Sequence, residues 1–306
     1  MISNGAACNF GDQLHPSGEM DLETYRNIGK AYEYVEKIEK YGLGGKPVST
    51  LGLWLTLNTK ADLGVVNILL ETHKDFIIAN EKNLQQLEFL ILPSQICLSV
   101  EQANKINDWV KDGGKLIVFG EGALDKEGKQ FIVNVGADYI SPSEFQFDFT
   151  VVNPELGKDV VSTPFLNYEA ALRVKPTTGK MLAAVREPYF NRTYEKYSGH
   201  RATPYKLENS QYPAIVQNGN VIYFAHKLDQ LYYIHAVRLH HQLVENAIDK
   251  LYEKPMLAIN NLPSSGRVSF LKQEKEKRYI AHLLYGPALQ RGEVMVIEDL
   301  LPVPGA

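Results

Sequence analysis

The chain has 306 residues, of which 44% are hydrophobic and 22% charged, with a formal net charge of −4. That length allows two domains, and the composition is that of a folded globular protein, which excludes long disorder. A net acidic chain also lacks the Lys/Arg excess that phosphate neutralisation requires, so nucleic acid is not an expected partner.

The first stretch, "SNGAACNFGDQLHPSGEMD", is a run of small residues that leads into a dense group of hydrogen-bonding side chains. A helix follows in "MDLETYRNIGKAYEYVEKIEKYG", where Leu22, Tyr25, Ile28, Gly29, Tyr32, Val35 and Ile38 recur at helical spacing. Asp21 or Ser17 can cap it, and Gly42 ends it. The glycine-rich "GLGGKP" (42–47) reads as a linker and is the strongest boundary signal in the chain. Strand-like "VSTLGLWL" (48–55), helical "ADLGVVNILLETH" (61–73), a short strand in "DFIIAN" and the continuous apolar run "LEFLILP" (87–93) come next. "LSVEQANKINDWVKDGG" (98–114) carries capping-box spacing from Ser99 to Gln102, an apolar stripe at Ala103, Ile106 and Val110, and a closing Gly113-Gly114. "KLIVFG" (115–120) is a further buried strand. This alternation predicts a parallel sheet covered by helices.

From about residue 130 the pattern changes to strands and long loops. "YPAIVQNGNVIYFAH" (212–226) predicts a hairpin turning at Asn218-Gly219. "LYYIHAVRLHHQLVENAIDKLY" (231–252) predicts one long helix with Ala236, Leu239, Leu243, Val244, Ala247, Ile248 and Leu251 on its apolar face. Strands return in "RVSFLKQ", "RYIAHLLY" and "VMVIEDL". No apolar run reaches the ~20 residues of a membrane span, and no secretory signal is expected at the start. Cys8 and Cys97 are too few and too far apart for a disulfide framework or a zinc site, and they fit a reducing cytosol. No cofactor is expected.

Several segments invite chemistry. An amidotransferase needs a nucleophilic Cys at a strand-to-helix elbow with a His partner, but "GEGALD" (120–125) has Glu121 at the elbow. Cys97 lacks flanking glycines and is expected to be a small buried residue. "GEGALD" also lacks the pattern of a phosphate loop. His240 and His241 are adjacent and point about 100° apart on a helix, so they cannot share one ion, and with His235 they are expected to be solvated or at an interface. No metal site is expected. "REPYFNRTYEKYSGHRATPY" (186–205) interleaves Tyr189, Phe190, Tyr194 and Tyr197 with Asn191, Arg192, His200 and Arg201. That mixture suits either subunit-interface packing or the wall of a sugar pocket.

"NGAACNFGDQLHPSGEMDLETYRNIG", "LEFLILPSQICLSVEQANKINDWVKDGGKLIVFG", "REPYFNRTYEKYSGHRATP" and "YPAIVQNGNVIYFAHKL" together resemble the C-terminal half of bacterial glycoside hydrolases. The likeness is to those with a beta-galactosidase-type trimerisation domain, in the alpha-amylase-like, beta-galactosidase and alpha-L-fucosidase grouping. "PYFNRT" and "GDQLHP" are its most specific parts. The resemblance implies an α/β fold. Residues 1–45 would be the last strand and helix of a (β/α)8 barrel, 46–253 a glutamine-amidotransferase-like (flavodoxin-like) trimerisation domain, and 254–306 part of a small β-domain.

It further implies that Asp12, Gln13 and His15 bind sugar hydroxyls at the carboxyl end of a barrel strand, or else serve as loop caps. Tyr189, Phe190, Asn191, His200 and Arg201 are the other candidate substrate contacts. The two carboxylates of a glycosidase would lie on earlier barrel strands, so no catalytic residue is expected here, and the chain reads as a truncated portion of a cytoplasmic enzyme. The expected partners are further copies of the chain, as a homotrimer, and a carbohydrate. No membrane partner is expected. The implied role is the oligomerisation portion of a hydrolase of galactosides or fucosides. The alternative is a glycosidase completed by another chain, or an independent α/β hydrolase.

Overall fold

The computed structural model describes residues 1–259, 261–298 and 302. They form two compact units: Met1–Ser49 with His73–Asp75 and Met256–Ala306, and Thr50–Thr72 with Phe76–Pro255. In chain order the helices are α1 (Leu22–Ile38), α2 (Thr59–Glu71), α3 (Val100–Lys111), α4 (Leu228–His235) and α5 (Arg238–Leu251). The strands run β1 (Lys46–Pro47), β2 (Leu51–Trp54), β3 (Ile77–Ala79), β4 (Phe89–Leu92), β5 (Lys115–Phe119), β6 (Ala137–Ser141), β7 (Asp148–Val152) and β8 (Phe165–Asn167). They continue with β9 (Arg173–Pro176), β10 (Lys180–Arg186), β11 (Pro213–Asn218), β12 (Val221–Phe224), β13 (Arg267–Gln273), β14 (Arg278–Leu284), β15 (Leu289–Arg291) and β16 (Val294–Val296).

The first unit joins the two ends of the chain. The Asp21 side chain accepts hydrogen bonds from the backbone N–H groups of Glu23 and Thr24 and starts α1, as expected of a cap. None of the residues of α1 is buried, so its apolar stripe remains at least partly exposed. Residues 5–20 contain no strand. The segment in which a barrel strand is expected runs as coil, with no neighbouring strand to pair its backbone groups. The expected linker at 42–47 is a packed joint. β1 pairs antiparallel with β13, and β13 with β14. The buried Gln273 amide donates to the carbonyls of Lys40 (3.0 Å) and Leu43 (2.8 Å). A Cβ at Gly42 would overlap the backbone carbonyl of Ile2, which is why glycine stands there. Beyond β14, β15 and β16 pair in a small hairpin, and Asp299 and Leu300 of "VMVIEDL" lie outside the described residues.

The second unit is built on a nine-stranded sheet in the order β3-β2-β4-β5-β12-β11-β10-β7-β8. The first five strands are parallel, in the 2-1-3-4-5 order of a doubly wound sheet, and the last four extend it antiparallel. β4 is buried at every position and β5 at all but its first, which explains their uninterrupted apolar sequences. α3 has the capping box predicted for it, with Ser99 and Gln102 reciprocally bonded. Its buried stripe is Ala103, Ile106 and Trp109, and the Trp109 indole donates to the Leu87 carbonyl at 3.2 Å. A two-stranded ribbon, β6 with β9, belongs to the excursion between β5 and β12.

Two local expectations are corrected. Asn218 pairs with Val221, so the hairpin turns at Gly219-Asn220, with Gly219 at φ +57°. The segment 231–252 is two helices: Ala236 adopts φ +49°, ψ +37°, a left-handed conformation that ends α4 before α5 begins. Ala236 is exposed, off the apolar face assigned to it.

Candidate functional site

Parallel strands deliver their successor loops to one edge of the sheet, and ligands of open α/β sheets gather at that carboxyl edge. Here the loops after β4 (Ser94–Cys97), β5 (Gly120–Asp125) and β12 (Ala225–Lys227) border a cavity of about 570 Å³. The excursion supplies the facing wall, with Tyr139 and Phe145, and adds Glu169 to the floor. The volume falls within the ~300–1,000 Å³ of small-ligand sites.

The floor is polar and tied together. Gln95 Nε2 donates to Glu121 Oε2 at 2.9 Å. The Lys227 ammonium pairs with Glu169 and stands 3.8 Å from Glu121 Oε1. Burial would lower the Lys227 pKa, but the hydrogen bond it donates to Glu169 and the charges of Glu121, Glu169 and Asp229 outweigh it and hold the group above its usual range. Burial, with a smaller contribution from Glu121, also raises the Tyr139 phenol. Gly120 sits at φ +46° at the end of β5, and a Cβ there would come within 2.7 Å of Lys227 Cγ. Glycine therefore lets the β5 turn and the Lys227 stem occupy the same corner.

Behind the floor are two buried polar clusters, of whose members the sequence singled out only His240. Asp229, at the start of α4, accepts from Ser94 N (2.7 Å) and Gln230 N (2.9 Å), while Gln230 Nε2 donates to Ser94 Oγ (2.8 Å). Burial pushes the Asp229 carboxyl up to about 6, against the lowering effect of those bonds. In the second cluster His226 Nε2 donates to Asp148 Oδ1 at 2.6 Å, and Asp148 Oδ2 accepts from Ala171 N at 2.8 Å. Asn167 Nδ2 donates to Asp148 Oδ1 (3.1 Å) and Thr150 Oγ1 (2.8 Å), which leaves its carbonyl to accept from His240 Nε2 (3.0 Å). A buried carboxylate with three bonded neighbours is a recognisable functional or structural signal, but it requires three distant segments to meet.

The histidines occupy three different surroundings. His240 is fully buried, contrary to the expectation of a solvated or interface residue, and burial lowers its pKa to about 3. His235 is exposed and its ring lies tilted against Tyr168, with ring centroids 4.3 Å apart. His241 is half-buried, 3.9 Å from Glu71. Among the described residues no group of three His, Cys, Asp or Glu is placed to hold a metal ion.

Asp12, Gln13 and His15 lie on exposed coil of the first unit. Asp12 Oδ1 accepts from Gln13 N at 2.8 Å, and His15 Nδ1 lies 2.9 Å from Ser17 Oγ. In the second unit Asn191 is a structural pin: its Oδ1 accepts from Gln146 N (3.0 Å) and its Nδ2 donates to the Glu144 carbonyl (2.7 Å). It thereby holds the 143–146 segment that forms part of the cavity rim. Phe190 is half-buried, and its carbonyl accepts from Thr203 Oγ1 at 2.7 Å. Tyr189, His200 and Arg201 are exposed on the same loop, where the Arg192 guanidinium lies 5.0 Å from the Tyr197 ring centre. Cys97 is exposed at the cavity, not buried as expected, because the loop after β4 turns outward at the sheet edge. The cavity lining includes Ser94, Cys97 and Ser143 but no histidine to activate them.

This architecture is a glycoside hydrolase-related fold, a mixed α/β structure on a large, partly parallel sheet. In particular, the chain superposes on alpha-L-fucosidase isoenzyme 2 from Paenibacillus thiaminolyticus with a TM-score of 0.91 and 28% identity, over 98% of this chain and 47% of that one. A beta-galactosidase from Rahnella sp. R3 superposes at TM-score 0.57 and 14% identity, over 84% of this chain and 39% of that one. A beta-galactosidase from Bacillus circulans sp. alkalophilus gives TM-score 0.57 and 12% identity, over the same shares. At those identities the two beta-galactosidases show likeness of fold alone. The chain spans about half the length of the fucosidase. No protein-family model matches the sequence, and no curated protein matches it. No helix among the described residues is long and apolar enough to cross a membrane.

Proposed function

We propose that this chain is the assembly portion of a glycoside hydrolase acting on fucosides or galactosides. The observation that carries the reading is the superposition of 98% of this chain on 47% of an alpha-L-fucosidase. In this reading residues 46–253 are an amidotransferase-like trimerisation domain, 1–45 belong to the end of a catalytic (β/α)8 barrel, and 254–306 to a small β-domain. Asp12, Gln13 and His15 contact sugar hydroxyls in the assembled enzyme. Tyr189, Phe190, Asn191, His200 and Arg201 extend the wall of a neighbouring subunit's sugar pocket, and the exposure of Tyr189 supports that role. The chain itself supplies no catalytic carboxylate pair. A cavity lining without a histidine beside Cys97 supports assembly over an independent hydrolase. Cys8 and Cys97 are both free, which suits a reducing compartment such as the cytoplasm.

Light scattering at micromolar concentration tests the assembly. A trimer is expected, and a strict monomer would sink it. Incubation with nitrophenyl fucosides and galactosides tests the missing chemistry. No turnover is expected, and turnover abolished by Glu121→Gln or Asp12→Asn would overturn it.

A further inference from the structure

We propose that the cavity at the carboxyl edge of β4, β5 and β12 is a binding site for a neutral mono- or disaccharide. The site lies wholly within the second unit and does not depend on how the chain assembles. Four features of the cavity support it.

The first is the arrangement of polar groups. Gln95 donates to Glu121 and Lys227 pairs with Glu169, with the Lys227 ammonium 3.8 Å from Glu121, so donors and acceptors alternate along one floor. A polyol presents the same alternation, since each hydroxyl donates once and accepts from another group. The second is charge. The lining carries the carboxylates Glu121, Asp125 and Glu169 against the ammonium groups Lys126 and Lys227, three acids to two bases. That balance disfavours phosphate or carboxylate ligands, and both ammonium contacts of Lys227 already go to acids. The third is the apolar component: Tyr139 and Phe145 give the facing wall the ring surfaces on which C–H faces of a pyranose can pack.

The fourth is pre-organisation. Asp148 and His226 are both 2% exposed and bonded to each other at 2.6 Å. Asp148 also holds Ala171 N at 2.8 Å, so the segments carrying Glu169 and Lys227 are anchored on one buried carboxylate. Leu172 N donates to the Ala225 carbonyl at 2.9 Å and ties the two segments a second time. Groups held in this way lose little freedom when a ligand arrives.

Calorimetric titration of the folded protein with L-fucose, D-galactose and lactose tests the site, with inorganic phosphate as the control. Binding of at least one sugar in the millimolar range is expected, with none for phosphate. Glu169→Gln and Gln95→Ala should each weaken that binding by about tenfold or more. Gln95→Ala keeps the test alive if Glu169→Gln does not fold. The bound sugar should also slow alkylation of Cys97, which lines the same cavity. Absence of sugar binding, phosphate binding instead, or sugar binding unchanged in both variants would each overturn the site. None of these outcomes bears on the oligomeric state, which light scattering reads separately.

Discussion

Asp229 and His240 are both buried ionisable groups, yet they respond to acid in opposite directions. Asp229 has its pKa raised from 3.8 to about 6, so the folded state holds a proton that the unfolded state releases. Its contribution is fully present below pH 3.8 and is lost as pH rises through about 6. His240 has its pKa lowered from 6.5 to about 3, so its contribution is present above 6.5 and is lost as pH falls toward 3. Each is on the order of a few kcal/mol. Asp229→Asn should therefore lose stability relative to wild type as pH is lowered from about 6 to 4, while a neutral residue at His240 should flatten the acid limb. Urea unfolding across that range measures both slopes, and parallel curves would contradict the assignment. Cys97 gives a simpler test. It is exposed and Cys8 is not, so a thiol reagent should modify Cys97 first, without denaturant.

At the scale of elements, glycines mark where helices and strands come closest. A Cβ on Gly64 of α2 would fall on the backbone carbonyl of Asp229 in α4. Because a backbone cannot swing aside as a side chain can, Gly64→Ala should cost at least ~1–3 kcal/mol, read from the urea midpoint. Ser99→Ala removes one half of the α3 capping box and should cost about 1 kcal/mol by the same measurement. Elements such as α3, β4 and β5 were legible because their signals are local: a cap, a stripe at helical spacing, or an unbroken apolar run. The break at Ala236 was not, since alanine favours helix and nothing near it in sequence signals φ +49°. The hairpin turn was misplaced by one residue because Asn218-Gly219 and Gly219-Asn220 both suit a two-residue loop, and only pairing across the strands chooses between them.

At the scale of the molecule, the first unit depends on distant chain segments. Gln273 bonds two carbonyls more than 200 residues earlier in sequence, Lys40 and Leu43. Gln273→Ala would leave both without that donor and should raise amide exchange in 40–47 and 267–284, with the β4 and β5 amides unchanged. Uniform exchange changes across the chain would show that the effect is not local. The sequence by itself determined the α/β class, the order of helices and strands from residue 48 to 120, and the absence of a Cys or Ser nucleophile at the elbow that Glu121 occupies. Each follows from residue type and short-range spacing. Only the tertiary structure placed Gln95, Glu121, Glu169 and Lys227 around one cavity and buried Asp148 with His226 behind it. Those residues come from segments separated by tens of residues, and their meeting follows from strand order in the sheet, which local periodicity does not encode.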